Sequence, residues 1–333
     1  MYDHKVLKTA TFNFPLICIG NLAVGGTGKT PMTEYLVRLL KDRYITATVS
    51  RGYKRKTKGY AIAGKNTTAL DIGDEPMQIH QKFPDITVAV GEERLVAIPH
   101  LLQDRPETDV IILDDAFQHR SIGAGLNILL TEYKNLYTRD LMIPSGDLRD
   151  TKSSAGRANI IIVTKCSGSI TSEEKNEIIT ELKPNPGQKI FFTKLEYAKP
   201  RHLFSGKETE LNATQDVLLV SGIANPKALK ELLTTKVRSY DMLKYNDHHI
   251  FSTDDLKDIK KQYGPLAIEN KLILTTEKDG VRLEKFGSEL SEYPIYVLPV
   301  QHHFLFDQGN EFNEEVISYV NKMKSRVSNI NPI

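Results

Sequence analysis

No apolar run in this sequence is long enough to span a bilayer, so no transmembrane segment is expected. Cysteine is scarce: Cys18 and Cys166 are the only two, and each adjoins an apolar run. That excludes a disulfide framework and reads as buried thiols of a reducing compartment. Charge of one sign is also lacking, and a net charge of +2 selects neither an acidic nor a basic partner. Met1-Tyr2-Asp3-His4-Lys5 has neither the charged nor the apolar region of a signal peptide, so the cytoplasm is the expected location. Internal repeats and low-complexity tracts are absent. The 333 residues, 40% hydrophobic and 26% charged, have the composition of a globular protein long enough for two domains.

Apolar runs alternate with amphipathic segments of helical length. Strands are expected at 15–20, 45–50, 86–90, 110–114, 126–131 and 159–164, with helices at 30–41, 75–83 and 92–102. Val- and Ile-rich strands alternating with helices predict a parallel sheet covered on both sides, with functional loops at the carboxyl ends of its strands. The second half alternates less regularly, with strands at 189–194, 216–220, 272–275 and 295–300 and helices at 226–233, 253–262 and 311–323. Lys183-Pro184-Asn185-Pro186-Gly187 is a turn signal. The expected fold is α/β of the P-loop NTPase type, a mainly parallel sheet flanked by helices, with a smaller C-terminal α/β lobe. We place a nucleotide-binding core at 1–165 and a second region at 166–333 that packs on it and contributes to the active-site cleft.

The most informative stretch runs from Ala23 to Thr30, Ala-Val-Gly-Gly-Thr-Gly-Lys-Thr. A strand, a glycine-rich loop, Gly-Lys-Thr and a helix make up the P-loop arrangement. In it Gly25, Gly26, Thr27 and Gly28 turn backbone N–H groups toward phosphate oxygens. Lys29 supplies a point charge, Thr30 offers a hydroxyl to Mg²⁺, and the helix start adds its positive dipole end. The strict pattern wants Gly where Ala23 stands; the three glycines that follow keep the loop permissive. A nucleoside triphosphate is the expected ligand.

Four other constellations bear on chemistry. The apolar strand at 110–113 ends in Asp114-Asp115; beside a phosphate loop such carboxylates serve Mg²⁺, which takes few carboxylates and several waters. Asp74, in Gly73-Asp74-Glu75-Pro76, reads either as a helix N-cap or as a carboxylate placed near the acceptor hydroxyl. Asp247-His248-His249 could orient an imidazole for proton removal, or simply lead into a helix; no cysteine–histidine spacing for zinc accompanies it, and His302-His303 is a similar pair with less context. Arg51-Gly52-Tyr53-Lys54-Arg55-Lys56-Thr57-Lys58 carries five positive charges and no acid. It reads as a solvated loop, or as a surface for an anionic substrate or an acidic membrane. No aromatic-interleaved nucleic-acid module appears, so nucleic acid is not expected as a partner.

Together these segments resemble the tetraacyldisaccharide 4′-kinase family, the lipid A 4′-kinases of Gram-negative bacteria. The resemblance rests on Gly20-Asn21-Leu22 with Val24–Pro31, Ser50-Arg51-Gly52-Tyr53, Gly73-Asp74-Glu75-Pro76, and Arg94 with Ala97. It continues through Leu113-Asp114-Asp115-Ala116-Phe117-Gln118-His119, Pro144-Ser145-Gly146-Asp147-Leu148-Arg149-Asp150 and Ser221-Gly222-Ile223-Ala224-Asn225-Pro226. Asp247-His248-His249 and Thr276-Glu277-Lys278-Asp279 complete the order, and the Asp-Asp-x-Phe-Gln-His block is highly specific. The family's loop is also non-Gly at the position of Ala23.

The resemblance implies ATP-dependent phosphoryl transfer to the 4′-hydroxyl of tetraacyldisaccharide 1-phosphate in lipid A biosynthesis. It implies that Lys29 and Thr30 serve phosphate and Mg²⁺, that Asp114 and Asp115 serve the metal, and that Asp74 and His248 help deprotonate or orient the sugar hydroxyl. Arg51, Arg94 and Arg149 become phosphate or substrate contacts. The implied partners are the lipid A disaccharide precursor and the anionic inner-membrane surface, approached peripherally from the cytoplasmic face, with no obligate protein partner.

Ala116 stands where the family has Gly, and Asp150 where Glu is usual. The family carries an apolar, membrane-associating helix before the phosphate-loop strand, whereas this chain starts close ahead of that strand. Either the start is shortened, or membrane contact relies on other surfaces, for which the basic segment 51–58 and exposed apolar side chains are the expected candidates. Two rivals remain: a P-loop transferase or ligase with a soluble acceptor, and a GTPase-like metal-delivery factor. The latter wants Asn-Lys-x-Asp after a late strand, and Val163-Thr164-Lys165-Cys166 lacks both the Asn and the Asp.

Overall fold

The computed structural model describes residues 9–223, 225–247, 249–264 and 269–330. It divides into two units, residues 1–196 with 301–333, and residues 197–300. The first unit is built on a nine-stranded sheet. Its strands are β1 (Leu16–Asn21), β2 (Thr46–Ser50), β3 (Ala61–Ile62), β4 (Thr87–Val90), β5 (Val110–Leu113), β6 (Leu126–Glu132), β7 (Ile160–Thr164), β8 (Lys189–Tyr197) and β9 (Val300–Phe304). The order across the sheet is β9-β8-β7-β6-β1-β5-β2-β4-β3. Pairing is parallel from β8 through β4, and the short β3 runs antiparallel to β4.

The strands are apolar on both faces because both faces are covered. In β1, Leu16 and Cys18 enter one core and Ile17 and Ile19 the other. Helices α1 (Lys29–Leu40), α2 (Asp74–Lys82) and α5 (Gly309–Ile330) cover the Ile17 face with Met32, Leu36, Ile79, Phe312 and Val316. Helices α3 (Arg94–Asp104) and α4 (Ser172–Leu182) cover the opposite face with Ile98, Leu101, Ile178 and Leu182. Both cysteines are free and buried, and burial pushes each thiol up to about 12.

The expected boundary at residue 165 differs from this division. Strand β8 pairs in register with β7, Lys189 opposite Ile160, so 166–196 completes the first sheet. The chain then returns to that sheet after residue 300, a long-range event that local periodicity does not report.

The second unit has its own five-stranded sheet, ordered Arg201–His202, Ile295–Leu298, Lys271–Thr276, Asp216–Ser221, Ser239–Lys244. The last four run parallel. Helices Lys227–Lys236 and Thr253–Tyr263 bury Leu229 and Leu233, and Leu256 and Ile259, against its two faces. The edge strand Ser239–Lys244 was not among the expected strands; its half-exposed, polar-rich pattern hides the period. No described helix is long and apolar enough to cross a membrane.

Candidate active site

The loop after β1 reaches α1 through two left-handed glycines, Gly25 (φ 103°) and Gly28 (φ 91°). These conformations are cheap only for glycine, whereas Ala23 keeps a negative φ and bridges to Leu148, which is why alanine is tolerated there. Gly25 and Gly26 are exposed and Gly28 is buried. The buried Thr27 hydroxyl has no hydrogen-bond partner among the described residues, the state of a group awaiting a ligand oxygen. Lys29 and Thr30 open α1, whose first turn contains no acid to compete for its N-terminal field.

Strand β5 lies directly beside β1, Leu113 opposite Cys18, so the turn Asp114–His119 emerges next to the phosphate loop. Backbone contact locks the two: Ala116 N–H donates to Ile19 O (3.1 Å) and Gln118 Nε2 to Asn21 O (2.6 Å). A Cβ on Gly20 would lie 2.4 Å from Phe117 Cβ, so the fit needs glycine there.

Asn21, fully buried, is the hub. Its Oδ1 accepts from Lys29 Nζ (3.3 Å) and Arg149 Nη2 (2.7 Å), and its Nδ2 donates to Ala23 O (2.7 Å). Arg149 also pairs with Asp115, and Lys29 Nζ stands 3.8 Å from the same carboxylate. Arg149 N–H donates to Leu22 O (2.8 Å), fixing the Pro144–Asp150 motif to the loop. Asp150 pairs with Arg157 (2.8 Å), whose guanidinium lies 4.5 Å over the Phe117 ring.

The two adjacent aspartates differ sharply. Asp114 is buried and accepts from the Thr33 hydroxyl (3.0 Å); burial, then Glu75 and Asp115, pushes its carboxyl up to about 7 against the pull of Lys29. Asp115 takes a left-handed turn (φ 47°) into a more open position. Burial opposes its charge, but Lys29 and Arg149 outweigh it and hold the carboxyl below its usual range.

Asp74 is half-buried and is the first residue of α2; the N-cap is Gly73 (φ 93°), so the expected N-cap role shifts by one residue. A Cβ on Gly73 would meet Tyr53 O at 2.9 Å, so the loop carrying Arg51 packs directly on the start of this helix.

The basic segment is not uniformly solvated. Arg55 pairs with Glu92 (2.7 Å) and its side chain is 2% exposed, while Arg51, Lys54, Lys56 and Lys58 are exposed. Arg94 is 1% exposed; it donates to Gly91 O (2.7 Å) and Glu92 O (3.2 Å), and burial lowers it to about 10 against the support of Asp114 and Asp115. His119 is lowered by burial and by the positive charges of Arg94 and Arg51.

The sequence model of the family described as tetraacyldisaccharide-1-P 4′-kinase matches residues 1–321. A tetraacyldisaccharide 4′-kinase of Bacteroides thetaiotaomicron is 43% identical, over 96% of this chain and 88% of that protein. One of Flavobacterium johnsoniae is 43% identical, over 96% and 91%. The chain belongs to the tetraacyldisaccharide 4′-kinase family. The crystal structure of the "apo" form of LpxK from Aquifex aeolicus in complex with ATP superposes with a TM-score of 0.73 at 26% identity, over 96% of this chain and 92% of that one.

The donor set of this kinase-family chain fits a magnesium ion. Thr30, Asp114 and Asp115 offer hard oxygens, and a carboxylate as buried as Asp114 gains from a cation.

In the second unit the family's motifs close on one another. Asp279 accepts from Gly222 N–H (3.0 Å) and the Thr276 hydroxyl (2.8 Å). Asp247 pairs with Lys278 (3.6 Å). His249 binds Asp255 through Nε2 (2.9 Å) and stacks on Tyr245. His248 lies outside the described residues.

Asn21, Thr33 and Glu75 act on the site in ways the motifs do not imply: Asn21 gathers Lys29 and Arg149, Thr33 donates to Asp114, and Glu75 raises the Asp114 carboxyl. Asn21 and Glu75 stand inside quoted motifs, and Thr33 one turn after Thr30 places a hydroxyl on the same helix face.

Proposed function

We infer that this chain is an ATP-dependent kinase that phosphorylates the 4′-hydroxyl of tetraacyldisaccharide 1-phosphate in lipid A biosynthesis. The observation that carries the reading is the juxtaposition, on neighbouring parallel strands, of the phosphate loop and Asp114-Asp115 in a chain with full-length family identity. The direct test is ATP-dependent phosphorylation of a tetraacyldisaccharide 1-phosphate in detergent micelles with the product mapped to the 4′ position. A strong GTP preference without acceptor-dependent ADP release would sink it.

Roles within the site follow from position and charge. Gly25, Gly26, Thr27 and Gly28 cradle the phosphates with backbone N–H groups, and Lys29 neutralises the outer ones. Thr30, with Asp114 and Asp115, would hold Mg²⁺, which when bound would neutralise charge on the phosphates. Arg149 is poised to exchange Asp115 for a phosphate oxygen, since its bond to Asn21 keeps it aimed while the carboxylate changes partner. Asp74 orients or deprotonates the acceptor hydroxyl, supported by its half-exposed place at the start of α2 beside the Arg51 loop. His248 is assigned to the same task from its motif alone. Arg51 is exposed and suited to an anionic substrate group; Arg94, being buried, acts by holding Gly91 and Glu92 and by its charge.

Membrane contact, at the cytoplasmic face of the inner membrane, is assigned to Lys54, Lys56 and Lys58 together with exposed apolar side chains. Tyr53 (59% exposed) belongs to the basic segment. Leu141, Met142 and Ile143 are all exposed on a loop tied to the phosphate loop by Val24 N–H donating to Asp147 O (2.7 Å). Neutralising the three lysines should make binding to anionic vesicles weaker and less salt-sensitive, and Leu141→Ser with Ile143→Ser should weaken binding at every salt concentration. Vesicle binding indifferent to both sets would remove this surface from consideration.

A further inference from the structure

We infer that His302 is a positioning residue for the phosphate loop: its Nε2–H holds the Gly28 carbonyl from behind, and Thr193 fixes the tautomer that makes this bond. The inference rests on the reading that the loop binds the phosphates of ATP.

His302 lies on β9, the strand by which the chain re-enters the first sheet, and is 5% exposed. Nε2 stands 2.9 Å from Gly28 O, and Nδ1 stands 2.9 Å from Thr193 Oγ1. A carbonyl oxygen only accepts, so Nε2 must carry a proton. Thr193, fully buried on β8, then donates its hydroxyl to Nδ1. One neutral tautomer satisfies both contacts. Burial pushes the imidazole down to about 4, with the Arg38 charge in the same direction, so the ring is neutral at physiological pH.

Gly28 is where this bond matters. Its carbonyl also accepts the first helical bond of α1, from Met32 N–H (3.1 Å). The peptide unit is planar and trans, so holding the Gly28 carbonyl toward β9 turns the Lys29 N–H the opposite way, out of the core. The preceding carbonyl is held likewise, Thr164 Oγ1 donating to Thr27 O (2.9 Å), which directs the Gly28 N–H. Two buried side chains from β7 and β9 thus set two consecutive N–H groups of the loop before any phosphate arrives. Preorganised donors of this kind bind without first having to be ordered. The contact also explains the glycine: a Cβ on Gly28 would stand 3.0 Å from His302 Nε2, besides requiring a left-handed φ. The neighbouring His303 is exposed, near Glu196 (3.8 Å), so the pair divides into one inner and one outer residue.

The test compares wild type with His302→Leu, which fills the space without a donor, and His302→Gln, whose amide can restore one. Each is the full-length protein, checked for folding by circular dichroism, with ATP affinity measured by titration calorimetry and KM determined for both substrates. Loss of one buried hydrogen bond corresponds to about a tenfold change in affinity. His302→Leu is therefore expected to weaken ATP binding about tenfold, with the acceptor KM unmoved, and His302→Gln to recover most of it. Equal ATP affinity in wild type and a folded His302→Leu protein would overturn the inference, as would equal impairment of Leu and Gln variants. No ATP binding by wild type would instead overturn the kinase reading. Should His302→Leu not fold, ¹⁵N-resolved imidazole signals of wild type decide: a neutral Nε2–H ring at pH 6 supports the inference, and an Nδ1–H or protonated ring overturns it.

Discussion

The two units use the same alternation of strand and helix to opposite ends. In the first, charged residues from α1, α3, the turn after β5 and the 140–150 loop converge at the carboxyl edge of the sheet and are left out of balance. Asp114 is pushed up to about 7, Arg94 down to about 10, and Arg149 divides its bonds between Asn21 and Asp115. In the second, the described motif residues find local partners: Asp279 accepts from Gly222 and Thr276, though burial still raises its carboxyl, Asp247 pairs with Lys278, and His249 with Asp255. Opposed charges left out of balance beside a phosphate loop mark a site built to receive a further charge.

Lys29→Ala and Asp115→Asn test the tense side most directly. Asparagine tolerates the left-handed turn of Asp115, so the charge is removed with little backbone cost. Each variant should lower kcat by at least about a thousandfold while circular dichroism stays native. Wild-type-like turnover in either would remove that residue from the machinery.

Asp114→Asn should cost about a hundredfold in turnover yet stabilise the ligand-free protein. The sign follows from linkage: the folded state keeps the Asp114 proton to about pH 7, whereas an unfolded carboxyl releases it near 3.8. Stability therefore falls as pH rises through that window, and asparagine abolishes the loss, worth on the order of 1–3 kcal/mol at pH 8. A lower melting temperature for Asp114→Asn at pH 8 would contradict it.

The histidine pair sharpens the contrast. His248→Ala should reduce kcat about 10- to 100-fold with ATP binding retained. His249→Ala should instead cost about 1 kcal/mol of stability and little turnover, because its ring is committed to Asp255 and Tyr245. The reverse pattern would exchange their roles.

The smallest effect concerns acid stability. A buried imidazole lowered to about 4 stays neutral when the unfolded chain, at about 6.5, takes a proton. Wild type should lose stability as pH falls from 6.5 toward 4, and His302→Gln should lose about 1–2 kcal/mol less over that range in chemical denaturation. Parallel pH profiles would show that His302 is not the group involved.

Much of the first unit was legible locally. Strands such as Val110–Leu113 read as short apolar runs because both sheet faces are covered, and Gly28-Lys29-Thr30 announced a phosphate site because only that backbone does the task. The basic segment shows the limit. Its five charges look alike in sequence, yet Arg55 is withdrawn into a pair with Glu92. Asp114 and Asp115 look equivalent as well, and a left-handed turn between them gives one to the core and one to Lys29 and Arg149.

The sequence by itself determined the phosphate loop, the carboxylate pair and the family, since glycine placement, apolar periodicity and motif order are local properties of the chain. Tertiary structure alone decided that Asn21 gathers Lys29 and Arg149, that Arg94 is buried, and that His302 returns from about 270 residues downstream of Gly28 to hold its carbonyl. These are facts about which buried groups must find partners. Partner choice is settled only when distant segments pack, because a buried carbonyl or guanidinium takes whichever group the fold brings within reach.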